Sequence, residues 1–400
     1  MEIEYWWLLA FPLFFGLGWL AARIDIKHLM SESRTLPVSY FKGLNYLLNE
    51  QPDKAVEAFI EVAKLDTETV ELHFTLGALF RRRGEVERAI RMHQNLVERP
   101  DLGQEQKLTA LHELAQDYLK AGLLDRAEDL FEKLQGTSYG SEALAALQEI
   151  YVQEKEWKKA IACAQQLGER ANRSFHKEIS HYYCELAANE IVDSNYPQAR
   201  ENLDAALQIN RECVRATILL GDLEAAQRQY ESAVRSWRQV EVQSPPHLSL
   251  LADKLLAAYR EQGKAEEGLS LLRDYLARFP SQDILLGAYH ATLEVQGPDA
   301  AYRLVRDAVR QNPTLQGLDT LLEAQLLDVA PERRGDIQLI KNLVHSHARQ
   351  LSMYRCENCG FRAKRFYWRC PACSSWETLP PRRCEERELY DQPPRAQNAY

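Results

Sequence analysis

The sequence has little glycine or proline and no excess of positive charge. It contains 18 glycines and 16 prolines in 400 residues, which excludes collagen-like and broadly disordered chains. Its 49 lysines and arginines against 58 aspartates and glutamates give a formal net charge of −9. That charge repels phosphate backbones and argues against a nucleic-acid partner. Hydrophobic residues at 46% and charged residues at 27% are instead typical of folded domains.

The sequence also lacks the common motifs of catalysis. It has no glycine-rich phosphate loop and no dinucleotide-binding fingerprint. The stretch from Gly136 to Gly140 matches Gly-x-Ser-x-Gly, but it falls between predicted helices, whereas a nucleophile elbow follows a strand. His176 and His181 are five residues apart, not four as in a metalloprotease helix. We therefore predict that the protein is not an enzyme.

One hydrophobic run is long enough to cross a membrane. No charged residue occurs from Tyr5 to Ala22, and a helix of this length spans about 27 Å, close to the thickness of a bilayer core. Glutamates precede the run, whereas a signal peptide begins with basic residues. Basic residues follow it and none precedes it, which places the rest of the chain on the cytoplasmic side. We predict a transmembrane anchor over 1–22 and a juxtamembrane linker over 23–35.

The body of the chain is an internal repeat with a mean period of about 35 residues. Small residues recur in similar settings at Ala55, Ala89, Ala127, Ala160, Ala199, Ala233, Gly268 and Ala300. A large apolar residue follows most of them four positions later, as Phe59, Phe131, Leu203, Trp237, Leu272 and Leu304. The pattern resembles the tetratricopeptide repeat, a helix–turn–helix unit whose small residues let the two helices approach. We predict an all-α fold, a tetratricopeptide-repeat solenoid with about eight repeats over 36–313 and a degenerate capping repeat over 314–352.

Stacked repeats of this kind form a groove lined by the first helix of each unit, and the groove typically binds a partner. In this register the predicted lining consists of Tyr40, Phe74, Arg81, Arg82, His112, His181, Arg215, Asp253 and Arg260. The alternative for each single residue is a solvated surface side chain with no partner.

The eight cysteines are unevenly distributed. Cys163, Cys184 and Cys213 are scattered, as expected of buried small side chains in a reducing compartment. The other five lie after residue 355, and four of them form two Cys-x-x-Cys pairs, Cys356, Cys359, Cys370 and Cys373. Four thiolates complete a tetrahedral site. We predict that they bind one metal ion, and this donor set suits both iron and zinc.

This metal-binding segment is predicted to be a small rubredoxin-like or zinc-ribbon module over 353–380, followed by a flexible tail over 381–400. Cys384 is expected to be a bystander. So short a unit needs the metal in order to fold. The aromatic residues expected to cover its interior are Phe361, Phe366, Tyr367, Trp368 and Trp376. A structural role for the metal and a redox role, if it is iron, both stay open.

Two stretches carry a resemblance to a known family. They are the opening Trp-Trp-Leu-Leu anchor and the run Tyr354-Arg-Cys-x-x-Cys-Gly-Phe ahead of Cys370-Pro-x-Cys373. With the repeats between them, the whole chain resembles the lipopolysaccharide assembly protein B family of Gram-negative bacteria. The resemblance implies a single-pass inner-membrane adaptor that regulates lipopolysaccharide biosynthesis. It also implies that the four paired cysteines are the metal ligands.

The partners that the resemblance implies are the membrane protease FtsH, the deacetylase that commits precursor to lipid A, and the lipopolysaccharide synthesis and transport proteins. The adaptor would bring the deacetylase to FtsH for degradation. Two other functions stay open: a general membrane-tethered scaffold for an envelope complex, and a rubredoxin-type electron-transfer protein. Homo-oligomer formation is also left open. We further expect the metal module to pack back on the last repeats and to hold a client-binding surface in shape.

Overall fold

The computed structural model describes residues 41–43, 45, 46, 49, 51, 54, 55, 57, 58, 70–171, 174–351 and 353–385. The predicted anchor and linker, the groove residue Tyr40 and residues 386–400 of the predicted tail lie outside the described residues. Within the described part, no helix combines the length and the apolar composition that a membrane span requires. The chain divides into two compact units, one up to Ile150 and one from Tyr151.

The first unit consists of helix–turn–helix pairs. Its helices are α1 (Val70–Arg82), α2 (Val86–Glu98), α3 (Gln104–Lys120) and α4 (Leu124–Leu134), while α5 (Gly140–Glu154) crosses the boundary between the units. The second helix of a pair is amphipathic: in α4 the buried residues Ala127, Phe131 and Leu134 recur at spacings of four and three. This spacing puts them on one face, and burial of that face against neighbouring helices stabilises the pair.

The second unit continues the same pattern and ends in a small non-helical module. Its elements are α6 (Trp157–Ala171), α7 (His176–Val192), α8 (Tyr196–Ile209), α9 (Val214–Ala226), α10 (Tyr230–Arg238), α11 (Val240–Gln243), the 3₁₀ helix η1 (Pro245–Leu250), α12 (Ala252–Glu261), α13 (Ala265–Arg278), α14 (Gln282–Gln296), α15 (Pro298–Gln311), α16 (Leu315–Leu326), α17 (Pro331–Leu351), β1 (Tyr354–Arg355) and β2 (Arg362–Ala363). The helices α16 and α17 occupy the stretch predicted to hold the degenerate capping repeat.

The small residues of the repeat pattern lie at helix contacts. Ala55, Ala89, Ala127, Ala160, Ala199, Ala233 and Gly268 are all buried. At the eighth position the predicted register is wrong by one residue: Ala301 is fully buried and Ala300 is not. The large apolar residue four positions on is therefore the buried Val305 and not Leu304.

Glycine in the first helix of a repeat allows the second helix to approach closely. A Cβ atom placed on Gly221 would lie 2.3 Å from Nε1 of Trp237, a distance that atoms in contact do not reach. The indole N–H of Trp237 donates a hydrogen bond to the carbonyl of Ile218 at 3.1 Å. At this contact a residue without a side chain, Gly221, therefore faces a large side chain, Trp237, on the other helix.

Candidate metal centre and its contacts with the repeats

The two Cys-x-x-Cys pairs form similar tight turns. In the first, the Gly360 N–H donates to the Cys356 carbonyl at 3.0 Å, and the Cys356 N–H donates to the Phe361 carbonyl at 2.8 Å. In the second, the Ser374 N–H donates to the Cys370 carbonyl at 2.9 Å. The residue after each pair has a positive φ, +76° at Gly360 and +57° at Ser374. This backbone conformation brings both sulfurs of a pair to the same side of the turn.

The four sulfur atoms are arranged for one metal ion. All of them lie within 4.8 Å of one another. The Sγ atoms of Cys356 and Cys373 are 3.8 Å apart, and those of Cys359 and Cys370 are 3.7 Å apart. Tetrahedral coordination with metal–sulfur bonds of about 2.3 Å separates the sulfurs by about 3.8 Å. The donor set and its spacing therefore fit a single four-coordinate ion.

The ligands differ in their surroundings. Cys356 and Cys370 are buried, whereas Cys359 is exposed. The hydroxyl oxygen of Thr378 lies 3.3 Å from the Cys356 sulfur, and hydrogen bonds involving Ser375 lower the pKa of the Cys373 thiol to about 5. Both arrangements favour thiolate, the form that binds metal.

A short sheet and a few apolar side chains complete the module. The strands β1 and β2 are antiparallel, with Tyr354 opposite Ala363. Tyr354, Ala363 and Leu379 are buried around the ligand cysteines, with Phe361 and Phe366 packed against them. So small a cluster gives little stabilisation by burial alone, and a metal ion held by the cysteines supplies the rest.

The two tryptophans of the module face the repeats instead of covering only the metal site. The Trp376 ring stacks on His181 of α7, with ring centroids 4.5 Å apart and planes 9° apart. The Trp368 ring stacks on His247 of η1 at 5.2 Å and 2°, and packs against the apolar core of the neighbouring repeats. The prediction that both tryptophans cover the interior of the module is therefore wrong. Their large rings pack against the repeat helices and join the module to them.

Charged and polar contacts surround this stacking. Glu377 of the module accepts hydrogen bonds from His181 at 2.9 Å and from Lys177 at 2.8 Å. Burial alone would raise the pKa of Glu377, but these two partners lower it to about 2. The half-buried His247 imidazole has its pKa lowered to about 4, because partial burial disfavours its charged form. Near neutral pH the module therefore presents a carboxylate to α7 and contacts an uncharged His247.

The C-terminal end of the packed segment binds the last repeats. Arg383 donates to the Asp283 carboxylate of α14 at 2.7 Å, and the Tyr354 hydroxyl donates to the same carboxylate at 3.1 Å. Glu385 accepts hydrogen bonds from the backbone N–H groups of Leu315 and Gln316, which lie at the start of α16, where a carboxylate is favourable. The packed segment thus extends to residue 385, five residues past the predicted boundary at 380.

Comparison with known proteins agrees with both parts of this architecture. The tetratricopeptide repeat model matches residues 186–247, and the rubredoxin metal binding domain model matches residues 354–381. Lipopolysaccharide assembly protein B of Escherichia coli K12 is 34% identical over 376 residues, which cover 93% of this chain and 97% of that protein. The chain belongs to the lipopolysaccharide assembly protein B family. The Haemophilus influenzae member is 32% identical, with the same coverage of both chains.

Among solved structures, one of Naa15/Naa10 bound to HypK-THB is similar over 78% of this chain and 53% of that chain, at 16% identity and a TM-score of 0.37. The family assignment agrees with the metal prediction. Cys356, Cys359, Cys370 and Cys373 form the metal-binding site of the rubredoxin-like module. Cys384 lies outside this cluster. Cys163, Cys184 and Cys213 are buried, as predicted.

The predicted groove residues have different surroundings in this family member. In the second unit, His181 is 0% exposed beneath Trp376, and the Arg215 guanidinium lies 5.8 Å from the centroid of the same indole. The chain's own module therefore occupies two positions that were predicted to meet a partner. Asp253 and Arg260 of α12 are exposed, and Arg260 pairs with Glu294.

In the first unit, the groove residues combine buried and exposed positions. Arg82 is exposed and Phe74 is half-buried. His112 stacks on Tyr139 with ring centroids 4.5 Å apart. Burial lowers the pKa of His112. Arg81 donates to Glu113 at 2.6 Å and to Asp117 at 2.7 Å.

Sequence reasoning missed several residues that matter at these surfaces. Asp117 is 0% exposed and accepts from both Arg81 and the buried His93, the latter at 2.5 Å. His93 lies four residues after Ala89, where other repeats have a large apolar residue. This departure from the repeat pattern could have indicated a buried polar contact in the sequence. His247 and Glu377 were also missed, because their contacts join segments far apart in the chain.

Proposed function

We propose that this chain is a membrane-anchored adaptor that regulates lipopolysaccharide biosynthesis. It brings the deacetylase that commits precursor to lipid A to the protease FtsH, and it associates with the lipopolysaccharide synthesis and transport proteins of the inner membrane. Residues 5–22 provide the single anchor, and the repeats and the metal module lie on the cytoplasmic side. This function is supported best by one observation: relatives named lipopolysaccharide assembly protein B match 93% of the chain and 97% of their own length.

The contacts of the metal module support a binding role for the repeats. The module touches α7, α9, η1, α14 and α16, elements that belong to successive repeats. A module held at so many points fixes the spacing of the helices that it touches. The side chains of these repeats that remain exposed, such as Asp253, then form a surface of constant shape for a protein partner.

The anchor contributes through concentration. A protein confined to the membrane plane meets a membrane protease at a much higher effective concentration than one free in solution, without any additional contact. An adaptor of this design needs only moderate affinity for each partner, because binding one partner brings the other within reach.

The half-life of the deacetylase in host cells tests the proposal. Depletion of the chain is expected to lengthen that half-life and to raise the amount of lipopolysaccharide, and expression of the wild-type chain is expected to restore both. A variant lacking residues 1–22 serves as the matched control for the anchor and is expected to restore neither. An unchanged half-life on depletion contradicts the adaptor function and favours the scaffold alternative, for which co-purified partners are the next measurement.

A further inference from the structure

A cleft of about 370 Å³ opens between α14, α16 and α17, next to the C-terminal segment of the module. Its carboxylates already have partners. Asp283 pairs with Arg383 at 2.7 Å, Glu323 with Lys341 at 2.8 Å, and Asp319 with His345 at 2.8 Å through Oδ2. These acids are therefore not a simple acidic patch, and the ligand chemistry depends on the groups that remain unpaired.

Two buried polar atoms in this cleft have no hydrogen-bond partner among the described residues. They are the amide nitrogen Nε2 of Gln316 and the carboxylate oxygen Oδ1 of Asp319. Gln316 is only 6% exposed. A buried donor or acceptor without a partner is unfavourable, and such atoms indicate a missing partner. One of the two atoms donates and the other accepts.

Two exposed cationic or donor side chains line the same cleft. The Arg349 guanidinium, near the end of α17, makes no ion pair or hydrogen bond with any described residue. His290 of α14 is exposed, and its ring nitrogens have no hydrogen-bond partner in the described part of the chain. Among these unpaired groups of the cleft, hydrogen-bond donors thus outnumber acceptors. The side chain of Leu286, which is 40% exposed, adds an apolar surface.

We propose that this cleft binds the C-terminal carboxylate of a partner polypeptide. The carboxylate accepts hydrogen bonds from Arg349 and Gln316, and the N–H of the last peptide residue donates to Oδ1 of Asp319. A chain terminus fits better than an acidic side chain, because it carries an anionic acceptor and an N–H donor a few bonds apart. The inference builds on the proposed function in one respect, that the repeats bind protein partners.

The test uses the full-length protein in detergent and an array of random dodecapeptides. Each peptide is present with a free C-terminal carboxylate and with a C-terminal amide, and a matched set has every Asp and Glu replaced by Asn and Gln. We expect capture of the free-carboxylate forms and about tenfold weaker capture of the amides, since a charge-assisted hydrogen bond is lost. The set without acidic side chains is expected to show the same preference.

Two variants and one control locate the preference in the cleft. Arg349→Gln is expected to abolish it, and Gln316→Met is expected to reduce it several-fold without lowering the temperature of unfolding. Arg334→Gln, at an exposed position of α17 that does not line the cleft, is expected to preserve it.

Three results would overturn the proposal: no peptide is captured, amides are captured as well as carboxylates, or Arg349→Gln retains the preference. Capture that depends only on internal Asp or Glu would assign the cleft to acidic side chains and refute the assignment to a chain terminus. The deacetylase half-life separates this inference from the proposed function. A half-life that responds to the chain while no terminal preference is found means that this inference alone fails.

Discussion

The two units differ in how they satisfy some of the polar side chains of their first helices. Up to Ile150, the partners come from neighbouring repeats: Arg81 of α1 pairs with Glu113 and Asp117 of α3, and Asp117 also contacts His93. From Tyr151 onward such pairs also occur, as between Arg215 and Glu185 and between Lys254 and Asp222, but the buried His181 meets the metal module. The first arrangement depends only on helices of its own unit, whereas the second depends on whether a metal-dependent module is folded. The two units should therefore respond differently to the same treatment.

Loss of the metal ligands is expected to have the largest effect, and only in the second unit. The double variant Cys359→Ser with Cys370→Ser leaves two thiolates, too few to hold the ion, so the module unfolds and its contacts with the repeats are lost. Bound metal, measured by mass spectrometry, should be absent, and residues 353–385 should become sensitive to protease while helical circular dichroism persists.

Cys384→Ser is the matched control for this variant, because Cys384 lies in the same segment but outside the ligand cluster. It should retain the metal and protease resistance. If the proposed function is correct, the double variant also fails to shorten the half-life of the deacetylase. A fully active double variant would show that the module does not hold the client-binding surface in shape.

Removal of the buried carboxylate of Asp117 should instead affect the first unit and leave the module unchanged. Asp117→Asn preserves volume but removes the carboxylate that faces Arg81 and His93, and breaking a buried ion pair is unfavourable by about 3 to 5 kcal/mol. Hydrogen exchange of the α1–α3 amides should become faster by a corresponding factor, while the module remains resistant to protease. Asp129→Asn, at an exposed position of α4, should change exchange little. Equal effects of the two variants would falsify the role assigned to Asp117.

The sequence predicts the parts of this comparison that depend on local spacing. Cys-x-x-Cys pairs determine which sulfurs can meet, because each pair forms its own turn. The repeat register follows from buried small residues, and it failed only where two alanines, Ala300 and Ala301, are adjacent and either satisfies the pattern. In both cases the information lies within a few residues of the site that it specifies.

Contacts between distant segments could not be predicted in this way. Glu377 and His181 are 196 residues apart in the chain, and nothing local to either one indicates the other. The tryptophans of the module were ambiguous for the same reason, since a large ring covers a metal site or a neighbouring domain equally well. Asp117 could not be predicted as the acceptor for Arg81, because in the sequence it resembles an ordinary surface acid within a helix.

Acidification should loosen the contact between the module and the repeats. His247 has a pKa of about 4 in the folded protein against an ordinary value of 6.5, so the unfolded form binds more protons between these values. Its contribution to stability is present above pH 6.5 and is lost as the pH falls toward 4. Glu377, with a pKa of about 2 against 4.5, contributes above pH 4.5 and loses that contribution as the pH falls toward 2.

Hydroxyl-radical labelling of Trp368 and Trp376, read by mass spectrometry, measures this loosening. We expect labelling to increase several-fold between pH 7.5 and pH 5 with bound metal unchanged. His247→Gln, which does not titrate, is expected to show a weaker dependence on pH over this range. Labelling that is constant from pH 7.5 to pH 5 would contradict the role of an uncharged His247 at this contact.

The smallest expected effect compares the two turns of the metal site. Gly360 and Ser374 occupy equivalent positions with φ of +76° and +57°, but this conformation is unfavourable by about 1 to 2 kcal/mol for a residue with a Cβ atom. Ser374→Gly should therefore slow the release of metal to a chelator. Gly360→Ser should accelerate it, and only through the backbone, because a Cβ atom at Gly360 would have no neighbour within 4 Å. Shifts of the two variants in the same direction would mean that the turns are not equivalent, and that Ser374 stabilises its turn by a contact of its side chain.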